Sequence, residues 1–191
     1  MVEPIPPTSP VSAFSAPHTS RIQALDMGLC YLLNRANRRQ TIGQFFALIS
    51  RLGDGVFWYT LMLILPVVYG VHGLLVSLQM ALTGAAALLV YKWLKARTSR
   101  PRPFMVSQHI IRRVPPLDEY SFPSGHTLHA VTFTLVVLQA FPQLFWLVVP
   151  FTVLVALSRM VLGLHYPSDV LAGATIGAVI ALGSINAVQL F

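Results

Sequence analysis

The sequence predicts an all-α protein, a multi-pass transmembrane helix bundle with about five spans. Of its 191 residues, 55% are hydrophobic and only 10% are charged, whereas soluble domains carry roughly 25% charged residues. The mean hydropathy is +0.67. A soluble chain of this size could not cover so much apolar surface, so the bilayer is the expected solvent.

The residues before the first predicted span form two parts of different composition. Residues 1–20 are rich in Pro, Ser and Thr, which predicts a disordered tail without the features of a cleavable signal peptide. Residues 21–51 contain two short amphipathic stretches with helical apolar spacing. These predict interfacial helices against the lipid headgroups, with packing on the bundle as an equal alternative. Residues 21–191 are expected to form one membrane domain.

Apolar stretches of roughly transmembrane length follow in order. Pro66 predicts a kink in the first stretch. Gly173, Gly177 and Ala181 are spaced by four in the last stretch and predict close helix packing. The predicted spans are residues 55–71, 74–91, 125–141, 144–162 and 169–190.

The long connection between the second and third spans, residues 96–122, is rich in Arg and Pro, which cannot continue a helix there, and it predicts an ordered or lid-like loop. The links at 70–73 and 141–143 are short and predict hairpins. Counting crossings then places the polar residues that flank the spans on one membrane face, where charged groups are functional candidates. These residues are Lys95, Arg102, Ser124, His126, Arg159, His165 and Asp169.

Three spaced motifs contain these residues. The first motif is Lys95, six intervening residues and Arg102-Pro103. The second is Pro123-Ser124-Gly125-His126. The third is Ser158-Arg159, five intervening residues, His165, three intervening residues and Asp169. The pattern resembles the signature of the type 2 phosphatidic acid phosphatase (PAP2) family, relatives of the vanadium haloperoxidases. The motifs cover about 95–169, and the hydrophobic layout extends the resemblance to nearly 50–190.

The residue types suit phosphate chemistry. Lys95, Arg102 and Arg159 supply cationic donors for phosphate oxygens, and the backbone N–H groups of Ser124 and Gly125 begin a helix, which favours anions. The spacing of His165 and Asp169 lets the carboxylate accept a ring N–H and orient the imidazole. The residues alone would allow the two histidines to exchange roles.

The resemblance implies that His165 is the nucleophile, which forms a phosphohistidine, and that His126 is the general acid and later the base. Two histidines and one aspartate could bind a metal, but the surrounding cations argue against it. We therefore expect no metal and no cofactor. Asp118 and Glu119 are predicted to be solvated loop charges that pair with Arg112 or Arg113, and Asp54 a helix cap.

The expected substrate is a lipid with a terminal phosphate or diphosphate. Undecaprenyl diphosphate is the first candidate by resemblance, followed by phosphatidylglycerophosphate and phosphatidic acid. A lipid phosphotransferase and a non-catalytic membrane binding protein are alternatives from other classes; the basic charge is assigned to phosphate and lipid rather than nucleic acid. The chain is expected in a bacterial inner membrane. Because the Lys and Arg residues cluster on the motif-bearing face, that face is predicted to be cytoplasmic, although family members also work on the outer face.

Overall fold

The computed structural model describes residues 21–189, and this part of the chain is helical, with no β-strand. The all-α prediction is therefore confirmed over this range, while the predicted disordered tail lies outside the described residues. The α-helices are α1 (Arg21–Asn34), α2 (Gln40–Arg51), α3 (Phe57–Lys95), α4 (Pro103–Val106), α5 (Gly125–Ala140), α6 (Phe145–Val161) and α7 (Pro167–Gln189). A 3-10 turn (Arg35–Arg38) follows α1, a π-helical turn (Leu52–Val56) precedes α3, and a 3-10 turn (Pro142–Leu144) precedes α6.

Helix α3 is a helical hairpin. Its backbone leaves the helical region at Gly70, where φ is 59° and ψ is −138°. A Cβ atom on Gly73 would lie 2.0 Å from the Leu65 carbonyl oxygen, so only glycine lets the two arms approach this closely. The hairpin predicted at 70–73 is thus confirmed, and the break falls at Gly70 rather than at Pro66.

Among the described residues, three stretches are long and apolar enough to cross a membrane: Gln40–Lys95, Pro142–Val161 and Pro167–Gln189. The first contains both arms of the α3 hairpin. Helix α5 has 16 residues, which corresponds to about 24 Å of helix, and it packs against α3, α6 and α7. The bundle therefore surrounds a short central helix, and the start of that helix carries the second motif.

The contact between α5 and α7 is the most extensive in the bundle. A Cβ atom on Gly173 would lie 2.5 Å from the Ser124 carbonyl oxygen, and one on Gly177 would lie 2.4 Å from the Leu128 carbonyl oxygen. These distances confirm the close packing that the glycine spacing predicts. The contact brings the first turns of the two helices, and so two of the motifs, against each other.

Aromatic side chains join α3, α5 and α6 away from the motifs. The buried Trp58 ring lies 5.4 Å from the Phe133 ring and 5.7 Å from the Phe151 ring, measured between centroids. Aromatic pairs at these separations are favourable contacts. They form one apolar core, which fixes the three helices relative to one another.

Helices α1 and α2 both pack on the bundle, α1 against α6 and α7 and α2 against α6. Both stretches therefore pack on the bundle, and their position at the lipid headgroups stays a prediction. Along α1 the buried residues are Asp26, Cys30 and Asn34, which recur every four residues and face the bundle. The buried face of α1, here called its polar stripe, therefore packs against the ends of α6 and α7 that carry the third motif.

The glycine contact provides a test of the packing. We expect Gly177→Ala to destabilise the protein by ~1–3 kcal/mol, because the new methyl group meets backbone that cannot move aside. Gly183→Ala is the matched control in the same helix, since nothing lies within 4 Å of its added Cβ atom. Thermal unfolding in detergent measures both variants. Equal melting temperatures would contradict the close approach of α5 and α7.

Candidate active site

The structure brings the motif residues together at one end of the bundle. Lys95 is the last residue of α3, Ser124 immediately precedes α5, and Arg159 lies in the last turn of α6. His165 lies in the link between α6 and α7, and Asp169 lies in the first turn of α7. The three motifs therefore reach one site from helix ends that are far apart in sequence.

Two of the cations converge on a carboxylate of the long loop. Lys95 Nζ lies 2.8 Å from Asp118 Oδ1, and Arg102 Nη2 lies 2.5 Å from the same oxygen. The Tyr91 hydroxyl donates to the other carboxylate oxygen. Burial favours the neutral acid, but Lys95, Tyr91 and Arg102 outweigh it and hold the pKa of Asp118 below its ordinary value. Asp118 is thus an anion within the cation cluster.

The prediction that Asp118 is a solvated charge paired with Arg112 or Arg113 is wrong. The Arg112 guanidinium lies over the Phe104 ring, and Arg113 donates to Asn37. The sequence could not reveal this, because the long loop folds back until Asp118 reaches the end of α3. Arg102 also donates to the Asp118 carbonyl oxygen at 3.2 Å, which fixes the loop backbone.

Arg159 is the third cation, and it is only 3% exposed. Its Nη1 donates to the hydroxyl of Ser50 in α2. Its Nε is buried and has no hydrogen-bond partner among the described residues. A buried guanidinium N–H without a partner suits an anionic ligand, because such donors are normally satisfied.

The His165 imidazole is held in a defined orientation. Its Nδ1 lies 2.6 Å from the Ser121 carbonyl oxygen, which can only accept, so we assign the ring proton to Nδ1. The other nitrogen, Nε2, then carries the lone pair and accepts from Arg102 Nη1 at 3.2 Å. Burial, followed by the charges of Arg159 and Arg102, lowers the pKa of His165 well below its ordinary value. The ring is therefore neutral at pH 7.

Asp169 contacts the turn rather than the imidazole ring. Its Oδ2 lies 3.8 Å from His165 Nδ1, beyond hydrogen-bond distance, and accepts from the Tyr166 N–H at 2.8 Å. The predicted hydrogen bond from the His165 ring to Asp169 is therefore replaced by the bond to Ser121. The reason is geometric: the chain before α5 passes closer to the ring than the first turn of α7 does.

The start of α5 also differs from the expectation. The Ser124 N–H, expected to bind an anion, donates to the Asp169 carbonyl oxygen at 3.0 Å. Gly125 begins the helix, and its N–H is one of the helix-terminal donors that lack an intrahelical partner. A Cβ atom on Gly125 would lie 2.7 Å from the Tyr91 ring. Glycine is thus needed for this close approach.

A second group of polar residues supports Asp169 from α1. Arg100 donates to Asp169 Oδ1 at 2.7 Å and to Asp26 Oδ2 at 2.7 Å. Asp26 also accepts from the Ser168 N–H at 3.0 Å. Neither Arg100 nor Asp26 belongs to the three motifs, and the sequence offers no signal that would pair them across 74 positions.

The His126 side chain contacts Asp54, the acid predicted from the sequence to be a helix cap. Its Nε2 contacts Asp54 Oδ1 in an ion-pair geometry. Asp54 lies in the π-helical turn before α3, where Gly55 has a φ of 131°. That left-handed conformation favours glycine and aims the turn at α5. A lone acid between two glycines, Gly53 and Gly55, inside an apolar region was the available signal.

An open cavity of about 550 Å³ begins at this pair. Asp54, His126 and His129 form its polar part, and most of the remaining lining is apolar. Leu117, next to Asp118 in the long loop, also lines it. The cavity therefore joins an apolar groove between the arms of α3 and α5 to the polar end of the bundle.

The donor set at this end favours anions. Among residues 21–189, no group of three or more His, Cys, Asp or Glu side chains is arranged to hold a metal ion. Lys95, Arg102 and Arg159 surround a neutral imidazole. The arrangement can bind an anion and present a nitrogen lone pair to it.

Comparison with known sequences agrees with this chemistry. Residues 74–191 match the PAP2 superfamily model. An undecaprenyl-diphosphatase of Sulfolobus acidocaldarius is 28% identical over 152 residues, which cover 78% of this chain and 72% of that protein. The undecaprenyl-diphosphatase BcrC of Bacillus subtilis is 32% identical over 103 residues, covering 54% of this chain and about half, 53%, of its own length.

Solved structures share the fold. A transmembrane PAP2-type phosphatidylglycerolphosphate phosphatase from Bacillus subtilis superposes with a TM-score of 0.75 at 24% identity, covering 91% of this chain and 89% of that one. LpxE from Aquifex aeolicus gives a TM-score of 0.65 at 26% identity, with 85% and 95% covered. A bacterial vanadium-dependent iodoperoxidase gives 0.71 at 19% identity, with 93% and 52% covered.

Proposed function

Because the chain belongs to the PAP2 superfamily, we propose that it is a membrane lipid phosphatase that removes a terminal phosphate through a phosphohistidine intermediate. The observation that carries this proposal is the position of the buried His165 ring, whose Nε2 accepts from Arg102 Nη1 at 3.2 Å within the cation cluster. The substrate proposed first is undecaprenyl diphosphate, which would yield undecaprenyl phosphate. The names of both curated relatives support this choice.

Binding would begin with the cations. The oxygens of the terminal phosphate contact Lys95, Arg102 and Arg159, and the first N–H groups of α5 add neutral donors. The Nε of Arg159, which has no hydrogen-bond partner within residues 21–189, supports this assignment. Three fixed cations and a helix N-terminus supply positive charge where the transition state needs it, so no metal ion is required by this scheme.

Asp118 would have to leave the cluster when substrate arrives. Its carboxylate is ion-paired with Lys95 and accepts from Arg102, the same cations that the phosphate needs. A carboxylate and a phosphate oxygen compete for such donors because both are anionic acceptors. We infer that displacement of Asp118 accompanies substrate binding.

The attack uses the His165 lone pair. Nε2 forms a bond to the terminal phosphorus, and the bond from that phosphorus to the bridging oxygen breaks. Nδ1 keeps its proton, so the phosphorylated ring is cationic, and the Ser121 carbonyl and the nearby Asp169 carboxylate stabilise it. Asp169 thus contributes its negative charge, and it also stabilises the turn after His165 by accepting from the Tyr166 N–H.

His126 would handle the protons. As the general acid it donates a proton to the departing oxygen, and the adjacent Asp54 carboxylate would stabilise the charge of the protonated ring. It then takes a proton from water, whose oxygen attacks phosphorus while the P–N bond breaks. The products are inorganic phosphate and a neutral His165, and the proton on His126 is restored.

The lipid chain would occupy the apolar cavity. That cavity runs from His126 along α3 and α5 and is lined by Trp58, Leu88 and Phe133 among others. A substrate with its phosphate on the cations and its chain in this groove places the scissile bond beside His126. Phosphatidylglycerophosphate and phosphatidic acid share this chemistry and remain alternative substrates.

The role of His165 as the nucleophile can be tested by substitution. We expect His165→Ala to lower phosphate release roughly 1,000-fold or more, because the covalent route is lost. The assay measures phosphate release from purified lipid diphosphates and monophosphates with chelator present. The panel of lipids identifies the preferred substrate, and activity in the presence of chelator tests the proposed metal independence. His72→Ala is the control, since His72 lies in the α3 hairpin beside Phe141, away from the site.

Three outcomes would separate the alternatives. Full activity of His165→Ala would overturn the phosphohistidine. Phosphorylated acceptor alcohols among the products would indicate a lipid phosphotransferase. A wild-type protein that releases phosphate from no lipid in the panel, yet binds them, would indicate a non-catalytic membrane binding protein.

The competition between the Asp118 carboxylate and an anionic ligand can also be tested. We expect Asp118→Asn to tighten inhibition by orthovanadate about tenfold, equal to ~1.4 kcal/mol, because a competing anion is removed. The control is Glu119→Gln, which neutralises the adjacent exposed acid. Weaker inhibition of the Asp118→Asn variant would mean that the carboxylate holds the cations in place rather than competing with the ligand.

The membrane orientation gives a further prediction. We propose that the active-site face is cytoplasmic in the bacterial inner membrane, because the Lys and Arg residues concentrate there. The C-terminus is then on the outer side, since α7 begins at the site and leads away from it. Paired reporter fusions at Phe191 measure its side, and a cytoplasmic C-terminus would contradict the proposal.

A further inference from the structure

A second cleft lies beside the candidate active site, between α1, the turn after it and the long loop. Its volume is about 320 Å³, and its lining includes Tyr31, Asn34, Arg35, Arg38 and His109. None of these residues belongs to the cation cluster or to the cavity at His126. We propose that this cleft binds the headgroup of an anionic phospholipid of the surrounding membrane.

Hydrogen bonds hold the two walls of the cleft together. The buried Asn34 amide donates to the Ile111 carbonyl at 2.9 Å and to the Val161 carbonyl at 2.8 Å, and it accepts from the Ile111 N–H at 2.8 Å. The Tyr31 hydroxyl donates to the Ser107 hydroxyl at 2.8 Å. The loop residues 107–111 are thus fastened to α1, and His109 between these anchors is held at the cleft.

The cations of this cleft differ from those of the active site. Arg35 and Arg38 are exposed, and neither forms an ion pair with a carboxylate of residues 21–189. Arg100 and Arg102, by contrast, are paired with acids. Two guanidinium groups that share one cleft without a counter-ion repel each other, so an anion between them is favourable.

The surface next to the cleft indicates that the anion belongs to a lipid. Helix α1 buries its polar stripe and exposes apolar side chains: Ile22 is 69% exposed, Leu25 67% and Leu32 59%. Leu32 also lines the cleft, so the apolar face runs into the basic one. Acyl chains can cover the first while the headgroup phosphate enters the second, which a soluble phosphate could not do.

The expected affinity follows from the two arginines. A basic residue near an anionic headgroup contributes on the order of 1 kcal/mol. Losing both should weaken lipid binding about 30-fold, equal to ~2 kcal/mol. Phosphatidylglycerol is a suitable probe, because its phosphate is a diester without a terminal phosphoryl group for the proposed phosphatase to remove.

The experiment measures phosphatidylglycerol bound to the purified full chain in detergent by native mass spectrometry, with orthovanadate occupying the active site. We expect Arg35→Gln/Arg38→Gln to bind about 30-fold more weakly than wild type. The matched control is Arg21→Gln/Arg39→Gln, which removes two exposed arginines of the same region that do not line the cleft. Phosphatidylcholine and soluble glycerophosphoglycerol are the ligand controls.

Each outcome decides the proposal. Equal binding to both double variants, or equal binding of phosphatidylcholine, would overturn it, and tight binding of glycerophosphoglycerol would indicate a soluble anion instead. The melting temperature in lipid-free detergent checks folding, and Arg38→Gln alone, expected to weaken binding about fivefold, tests the cleft should the double variant unfold. The readout needs no turnover, so its failure and the failure of the proposed phosphatase activity are distinguishable.

Discussion

Three cations, Lys95, Arg102 and Arg159, lie buried or nearly buried at one end of an otherwise apolar bundle, and the rest of the site depends on that concentration of like charge. Cations removed from water require an anion or strong acceptors nearby. The Asp118 carboxylate and the backbone of the long loop meet part of this requirement. In the proposed function a phosphate group would replace that carboxylate, because it brings more negative charge and more acceptor oxygens to the same donors.

Close backbone contact makes this arrangement possible. Glycines at 173 and 177 let α7 approach α5 until the Ser124 N–H donates to the Asp169 carbonyl oxygen. The first turns of both helices then lie side by side, and the link that carries His165 leads directly into α7. A side chain larger than hydrogen at position 173 or 177 would push the second and third motifs apart.

A second layer of polar residues keeps the site residues in position. Asp26 and Arg100 fasten the start of α7 to α1, Ser50 of α2 holds Arg159, and the Ser121 carbonyl holds the His165 ring. Helices α1 and α2 are therefore part of the site's support. Their outer faces remain apolar and basic, as expected where protein meets lipid.

The sequence by itself determined the helical class, the hairpins and the gathering of the three motifs at one end, because apolar periodicity and span counting depend only on local composition and on bilayer thickness. Glycine spacing also predicted close helix packing on one face of α7, and the structure identified α5 as the partner. Only the tertiary structure decided the partners of the polar side chains. Asp118 joined the cations, Asp54 met His126, and Ser121 replaced Asp169 at the imidazole. The physical reason is that these contacts depend on how a long irregular loop and a distorted helical turn fold back, and neither conformation has a periodic signature in the sequence.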